Sequence, residues 1–222
     1  MHRVLGIIPA RYLSSRLPGK PLLDIGGKSM IMRVYDQCLK SNRLTDVWVA
    51  TDDQRIYDEI HAQGGRAILT DSTLQSGTER CFEAYQILLN QGESYDMLIN
   101  IQGDEPFINP RQIDLLVSLL TESDFPIATL IKEITDLRDL TNPNVIKVVC
   151  SVNQTALYFS RQPIPFIQKS PLQDWLSHHT FYKHIGIYAF RTNVIPLIKE
   201  LAGTLLEKAE NLEQLRWLES GF

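Results

Sequence analysis

The sequence predicts an α/β fold, a mostly parallel sheet with helices on both faces. Short apolar runs of strand length alternate with segments of helical period through the first half of the chain, the pattern of successive strand–helix–strand units. Two of those runs, Val4–Ile8 and Met97–Ile101, are almost wholly apolar, as expected of strands buried on both faces. The residues directly after each of them are charged and irregular, and loops at the carboxyl ends of strands form the ligand crevice of an open α/β sheet.

Val4–Ile8 opens the sheet. The helix after Ser29 puts Ile31, Val34, Tyr35, Cys38 and Leu39 on one face, a period of 3.6 residues. Val47–Ala50 and Ala67–Leu69 are the next strands, and the helix after Ser76 shows Cys81, Tyr85, Leu88 and Leu89. Ser76-Gly77-Thr78-Glu79 reads as a capping box, and Asn109-Pro110 with Gln112 reads as a second helix start after the strand Met97–Ile101. Ile127–Ile131, Val145–Cys150, Ala156–Phe159 and Ile185–Phe190 complete the strands. Gln162–Ser177 holds Pro163, Pro165 and Pro171 and has no periodicity, so it is expected to leave the sheet as a long, functional excursion. Trp175 and Leu176 there are either core or an intersubunit contact, the contact being the favoured reading. A last helix is expected with Ala209, Leu212, Leu215 and Leu218 facing the core, and Glu213 and Gln214 off that stripe, at water or a pocket rim.

The 222 residues are 44% hydrophobic and 22% charged, ordinary for a globular protein with one sizeable core. A net charge of −4 lacks the basic stripe of a nucleic-acid binder. Cys38, Cys81 and Cys150 are widely spaced; Cys38 and Cys81 fall on apolar helix faces and read as buried free thiols, not a zinc site. No apolar stretch reaches the length of a membrane span. The first strand begins at once after Met1-His2-Arg3, leaving no room for a signal peptide, so a cytoplasmic location is expected.

Two loops carry the chemistry. After the first strand, Arg11, Arg16 and Lys20 stand in one segment with Pro18 and Gly19. Arginine forks fit phosphate oxygens and lysine supplies a point charge, so the segment is either a triphosphate loop or a solvated basic loop. It is neither a P-loop nor a dinucleotide fingerprint, since both glycine patterns are absent. After Met97–Ile101 comes Gln102-Gly103-Asp104-Glu105-Pro106. A carboxylate ending a buried strand must be solvated, paired or metal-bound, and Mg²⁺ favours a few carboxylates plus phosphate oxygens. A polar turn before the helix at Asn109 is the alternative. The start of the helix at Ser76 is both a structural cap and an anion site. His184 beside an apolar run is either structural or a ligand contact, whereas His61, His178 and His179 read as surface residues.

Taken together, these motifs resemble the 3-deoxy-manno-octulosonate cytidylyltransferases (CMP-Kdo synthetases; Kdo is the sugar acid). The opening Ile8-Pro9-Ala10-Arg11-Tyr12-Leu13-Ser14-Ser15-Arg16-Leu17-Pro18-Gly19-Lys20-Pro21-Leu22 matches the family's first motif. Ala50-Thr51-Asp52-Asp53, Ser76–Arg80, Gln102–Pro106, Asn142-Pro143-Asn144, Ala156–Arg161, Tyr182–Tyr188 and Leu212–Arg216 follow in family order. The resemblance implies a Rossmann-like nucleotide-diphospho-sugar transferase sheet, one domain over 1–222 with a smaller β-rich sugar-binding and dimerisation excursion at about 151–190, and a homodimer. It implies transfer of CMP from CTP to the anomeric hydroxyl of Kdo with Mg²⁺, for lipopolysaccharide biosynthesis. It places Arg11, Ser14, Arg16 and Lys20 on the triphosphate, and Ser76, Gly77 and Arg80 near the cytidine. It makes Asp104 a magnesium ligand, and puts Gln102, Arg161, His184, Tyr188, Glu213 and Gln214 around the sugar acid. The family continues beyond a segment like Leu212–Phe222 into a strand and an Asp motif, so a truncated end is expected. A glycosyltransferase would carry a D-x-D motif, which Gln102-Gly103-Asp104 is not; a non-catalytic nucleotide-binding regulator is the remaining alternative.

Overall fold

The structure is a computed structural model that describes residues 2–13 and 17–222. In chain order the elements are β1 (Val4–Ala10), α1 (Met30–Cys38), β2 (Asp46–Thr51), α2 (Gln54–Ala62), β3 (Ala67–Leu69), α3 (Gly77–Asn90), β4 (Met97–Asn100) and α4 (Pro110–Glu122). There follow β5 (Ile127–Glu133), α5 (Leu137–Thr141), β6 (Lys147–Cys150), β7 (Ala156–Ser160), α6 (Trp175–His178), β8 (Tyr182–Arg191), α7 (Ile195–Lys199), α8 (Leu205–Glu210) and α9 (Gln214–Glu219). Each apolar run named above forms a strand at or within a few residues of its expected limits.

The chain divides into two compact units, 1–128 with 187–195, and 129–186 with 196–222. The second unit is larger than the excursion at 151–190, because it takes in the C-terminal helices. In the first unit, β3, β2, β1 and β4 lie side by side and parallel. The second half of β8 closes the row antiparallel to β4, with Met97 opposite Arg191 and Asn100 opposite Tyr188. Leu5, Ile7 and Ile8 of β1, Ile31 and Val34 of α1, and Cys81 and Leu88 of α3 are almost fully buried. Parallel strands need helices over them, which is why this core is apolar along the whole of β1. Two capping boxes start α3 and α4 at Ser76 and Asn109, as their sequences require.

In the second unit β6 pairs antiparallel with β7 and with the first half of β8. Its apolar residues form two clusters, Ile134, Leu140, Trp175 and Phe181, and Val148, Phe159, Leu212 and Leu215. Trp175 therefore does not sit at an exposed contact: its indole N–H donates to the Ser170 carbonyl at 3.1 Å and its ring stacks on Phe181. A satisfied N–H removes the polar cost of burying a tryptophan. The expected last helix is two helices. Asn211 adopts a left-handed φ of 51° between α8 and α9, which leaves Ala209 exposed and turns Gln214 inward. Cys38 and Cys81 are buried free thiols and Cys150 is half-buried.

Candidate nucleotide and sugar-acid site

Adjacent parallel strands β1 and β4 bring the two charged loops to one end of the first unit. Ile7 pairs with Asn100, and the Ile101 amide continues the ladder to the Ile7 carbonyl at 2.9 Å. The chain after β1 therefore leaves the sheet next to the acidic turn. Glycine is required at position 103 and gives a close approach at position 77. A Cβ on Gly103 would lie 2.6 Å from the Pro9 carbonyl oxygen, and one on Gly77 would lie 3.2 Å from the Pro9 Cγ. Pro9, at the end of β1, is thus closely approached by the acidic turn and by the start of α3. The Lys20 ammonium donates to Asp104 Oδ2 at 2.7 Å, so the cationic loop and the acidic turn meet through their functional groups. Both side chains keep a third or more of their surface exposed and remain open to a ligand. Ser14 and Arg16 lie outside the described residues.

Arg11 and Arg80 behave differently. The Arg11 guanidinium donates to the Leu74 carbonyl at the approach to α3. Arg80 is completely buried: it donates to Asp52 at 2.9 Å and Thr70 at 2.5 Å, and its Nε has no partner among the described residues. Burial lowers the Arg80 pKa, the Asp52 carboxylate opposes that shift, and the nearby Arg11 charge adds to it. A buried guanidinium needs such a partner to offset its desolvation, so Arg80 locks the ends of β2 and β3 to α3. The Ser76 hydroxyl accepts from the Glu79 amide at 3.1 Å, and Glu79 accepts from the amides of Gln75 and Ser76. The acidic dipeptide of Ala50-Thr51-Asp52-Asp53 is explained likewise: Asp52 holds Arg80, and Asp53 caps α2. Gln102 turns the chain, its carbonyl accepting from the Glu105 amide at 3.3 Å. Tyr188, opposite Asn100 on β8, is only 8% exposed.

The second unit holds Arg161, His184, Glu213 and Gln214. The Arg161 guanidinium donates to three carbonyls, Glu210 at 2.6 Å, Pro143 at 2.9 Å and Asn211 at 3.2 Å. That leaves one further N–H on each of its terminal nitrogens. Beside it lies Lys147, a residue the motifs did not nominate. Lys147 is fully buried and donates to the carbonyls of Asn142, Val145 and Arg161. It fastens the Asn142-Pro143-Asn144 motif to Arg161. The signal was present, a single lysine inside the apolar run Val145–Cys150. His184 Nε2 lies 2.8 Å from the Thr129 hydroxyl, which donates to the Ile185 carbonyl. With the Thr129 proton given to the Ile185 carbonyl, the His184 ring donates from Nε2 to the Thr129 oxygen. Burial pulls the His184 pKa down to about 4, so the ring is neutral near pH 7. Gln214 begins α9 and is 7% exposed, while Glu213 immediately before it is half-buried.

Among the described residues no group of three His, Cys, Asp or Glu side chains is placed to hold a metal ion. Asp104 is the carboxylate that meets the cationic loop. No helix of the described residues is long and apolar enough to cross a membrane.

Residues 5–222 match the family model described as Cytidylyltransferase. The 3-deoxy-manno-octulosonate cytidylyltransferase of Cytophaga hutchinsonii is 52% identical over 99% of this chain and 86% of its own length. That of Parabacteroides distasonis is 50% identical over the whole of this chain and 88% of its own. Among solved structures, a CMP:2-keto-3-deoxy-manno-octonic acid synthetase complexed with CTP superposes with a TM-score of 0.89 at 41% identity, covering 99% of this chain and 86% of that one. A Leptospira borgpetersenii cytidylyltransferase shares the fold at 15% identity and a TM-score of 0.58.

Proposed function

The chain belongs to the 3-deoxy-manno-octulosonate cytidylyltransferase family, and on that premise we propose that it transfers CMP from CTP to the anomeric hydroxyl of Kdo, releasing pyrophosphate. The observation that carries this reading is the meeting of Lys20 and Asp104 at 2.7 Å. A phosphate-binding cation and a metal-binding carboxylate stand together at the carboxyl ends of β1 and β4, where an α/β sheet binds nucleotides.

In-line attack of the sugar hydroxyl on the α-phosphorus asks little covalent chemistry of the protein; positioning and charge neutralisation carry it. Lys20 and Arg11 bind the triphosphate and stabilise the charge that grows on the departing pyrophosphate. Arg80, fully buried and bonded to Asp52 and Thr70, holds the start of α3 in place. The donor chemistry at Asp104 fits Mg²⁺, which combines one or two carboxylates with phosphate oxygens. Asp104 would hold it, and when bound it supplies further charge neutralisation on the phosphates. For the sugar acid, Arg161 of the second unit offers its two remaining N–H bonds to a carboxylate; the resemblance nominates Gln102 and Tyr188 in the first unit, and His184, Glu213 and Gln214 in the second, as further polar groups for it. The homodimer that the resemblance implies and the cytoplasmic location expected from the sequence belong to the same proposal.

The test is pyrophosphate release from CTP, measured with and without Kdo. Release that requires both substrates supports the reading. Release without Kdo, or none with it, overturns it.

A further inference from the structure

Two residues outside the matched phosphate contacts shape the cationic loop. Arg55, in the first turn of α2, lays its guanidinium over the Tyr12 ring at 3.3 Å from the centroid. The same guanidinium is held flat by two bonds to Asp53, Nε to Oδ1 at 2.9 Å and a terminal nitrogen to Oδ2 at 2.7 Å. Asp53 is fixed in turn as the cap of α2, accepting from the Arg55 amide at 3.0 Å. Tyr12 is joined to the far end of the loop, its carbonyl accepting from the Gly19 amide at 2.7 Å. Gly19 has a φ of 74°, and a Cβ there would come 3.2 Å from the Cζ and hydroxyl of the Tyr12 ring. Glycine is therefore required twice over, for the backbone angle and for the ring. Lys20 follows at once and begins the short 3₁₀ turn Lys20–Leu22.

We infer that Arg55 is a positioning residue for the triphosphate: stacked on Tyr12 and braced by Asp53, it fixes the closed loop from which Lys20 reaches the phosphates. This rests on the nucleotide reading above and extends it to a residue that touches no reacting atom. A planar, bidentate guanidinium over an aromatic ring is a role lysine cannot reproduce. Arg55 is more than half exposed, and Asp53, 18% exposed, keeps its cap bond from the backbone amide of residue 55 when the guanidinium is removed, so the fold is expected to survive.

The experiment compares wild type, Arg55→Leu, Arg55→Lys, Tyr12→Leu and the double variant Arg55→Leu with Tyr12→Leu, using calorimetric CTP binding, KM for CTP and for Kdo, and thermal melting. CTP binding and its KM are expected to worsen roughly five-fold in Arg55→Leu, as for loss of a partly exposed cation–π contact. KM for Kdo and the melting temperature stay near wild type, and Arg55→Lys recovers only part of the loss. The double variant should be no worse than Tyr12→Leu alone, because the two residues act through one contact. CTP binding by Arg55→Leu equal to wild type, or matched losses for CTP and Kdo, overturns the inference. A wild-type protein that fails to bind CTP overturns the nucleotide reading itself, a result distinct from either of these.

Discussion

Replacing Lys20 by alanine separates catalysis from folding more cleanly than any other single change. Lys20 and Asp104 form an ion pair at 2.7 Å, but their side chains are 35% and 55% exposed. A pair so solvated contributes about 0–1 kcal/mol to stability. Lys20→Ala should therefore lower the melting temperature by no more than about 2–4 °C in a chain of this size. Loss of a charge-assisted phosphate contact is worth far more in the reaction, about 3 kcal/mol, or roughly a hundredfold in kcat/KM for CTP. Initial rates of pyrophosphate release, with CTP varied at saturating Kdo, measure the second quantity, and a thermal melt measures the first. A kcat/KM for CTP within about twofold of wild type would refute the loop assignment. A large fall in melting temperature would instead show that the ion pair is structural, contrary to its exposure.

Asp104→Asn keeps the shape of the turn and removes the charge; turnover should collapse, with added Mg²⁺ restoring only part of it, and full wild-type activity in EDTA would contradict a metal role. Gly103→Ala places a Cβ 2.6 Å from the Pro9 carbonyl oxygen; overpacking of this kind costs about 1–3 kcal/mol, so denaturant unfolding should show it together with slower turnover, and a variant as stable as wild type would show that the turn relaxes freely. His184 gives a pH signature with a definite sign. Its folded pKa is lowered by burial from 6.5 to about 4, so below pH 6.5 the unfolded chain takes up a proton the folded chain refuses. The stability this neutral ring contributes is complete above pH 6.5 and drains away towards pH 4, by at most about 3 kcal/mol. Unfolding free energies at pH 7 and pH 4.5 should fall less in His184→Gln than in wild type, and equal falls would contradict the assignment.

Most of the sheet was legible because strand-forming runs announce themselves locally: Val4–Ile8 and Met97–Ile101 are apolar in sequence and buried in the fold. The caps at Ser76 and Asn109 were legible for the same reason, since a capping box is a four-residue signal. The juxtaposition of Lys20 and Asp104 needed only the parallel pairing of β1 with β4. What escaped was fixed by distant partners. Nothing near Arg80 says that Asp52 and Thr70 will bury it. Trp175 joined the core because the Ser170 carbonyl answers its indole, and Gln214 turned inward because Asn211 breaks the helix before it. Arg55 and Tyr12 are 43 positions apart in sequence, and only the return of the loop through Gly19 shows that they share a task.

The central claim is that CMP passes from CTP to Kdo on this chain, and phosphorus NMR of the complete reaction tests it most directly. With CTP, Kdo and Mg²⁺ present, the three CTP resonances should give way to pyrophosphate and a single phosphodiester bonded to the sugar. Appearance of free CMP as the only nucleotide product from the outset, or persistence of CTP with Kdo unconsumed, would contradict the account.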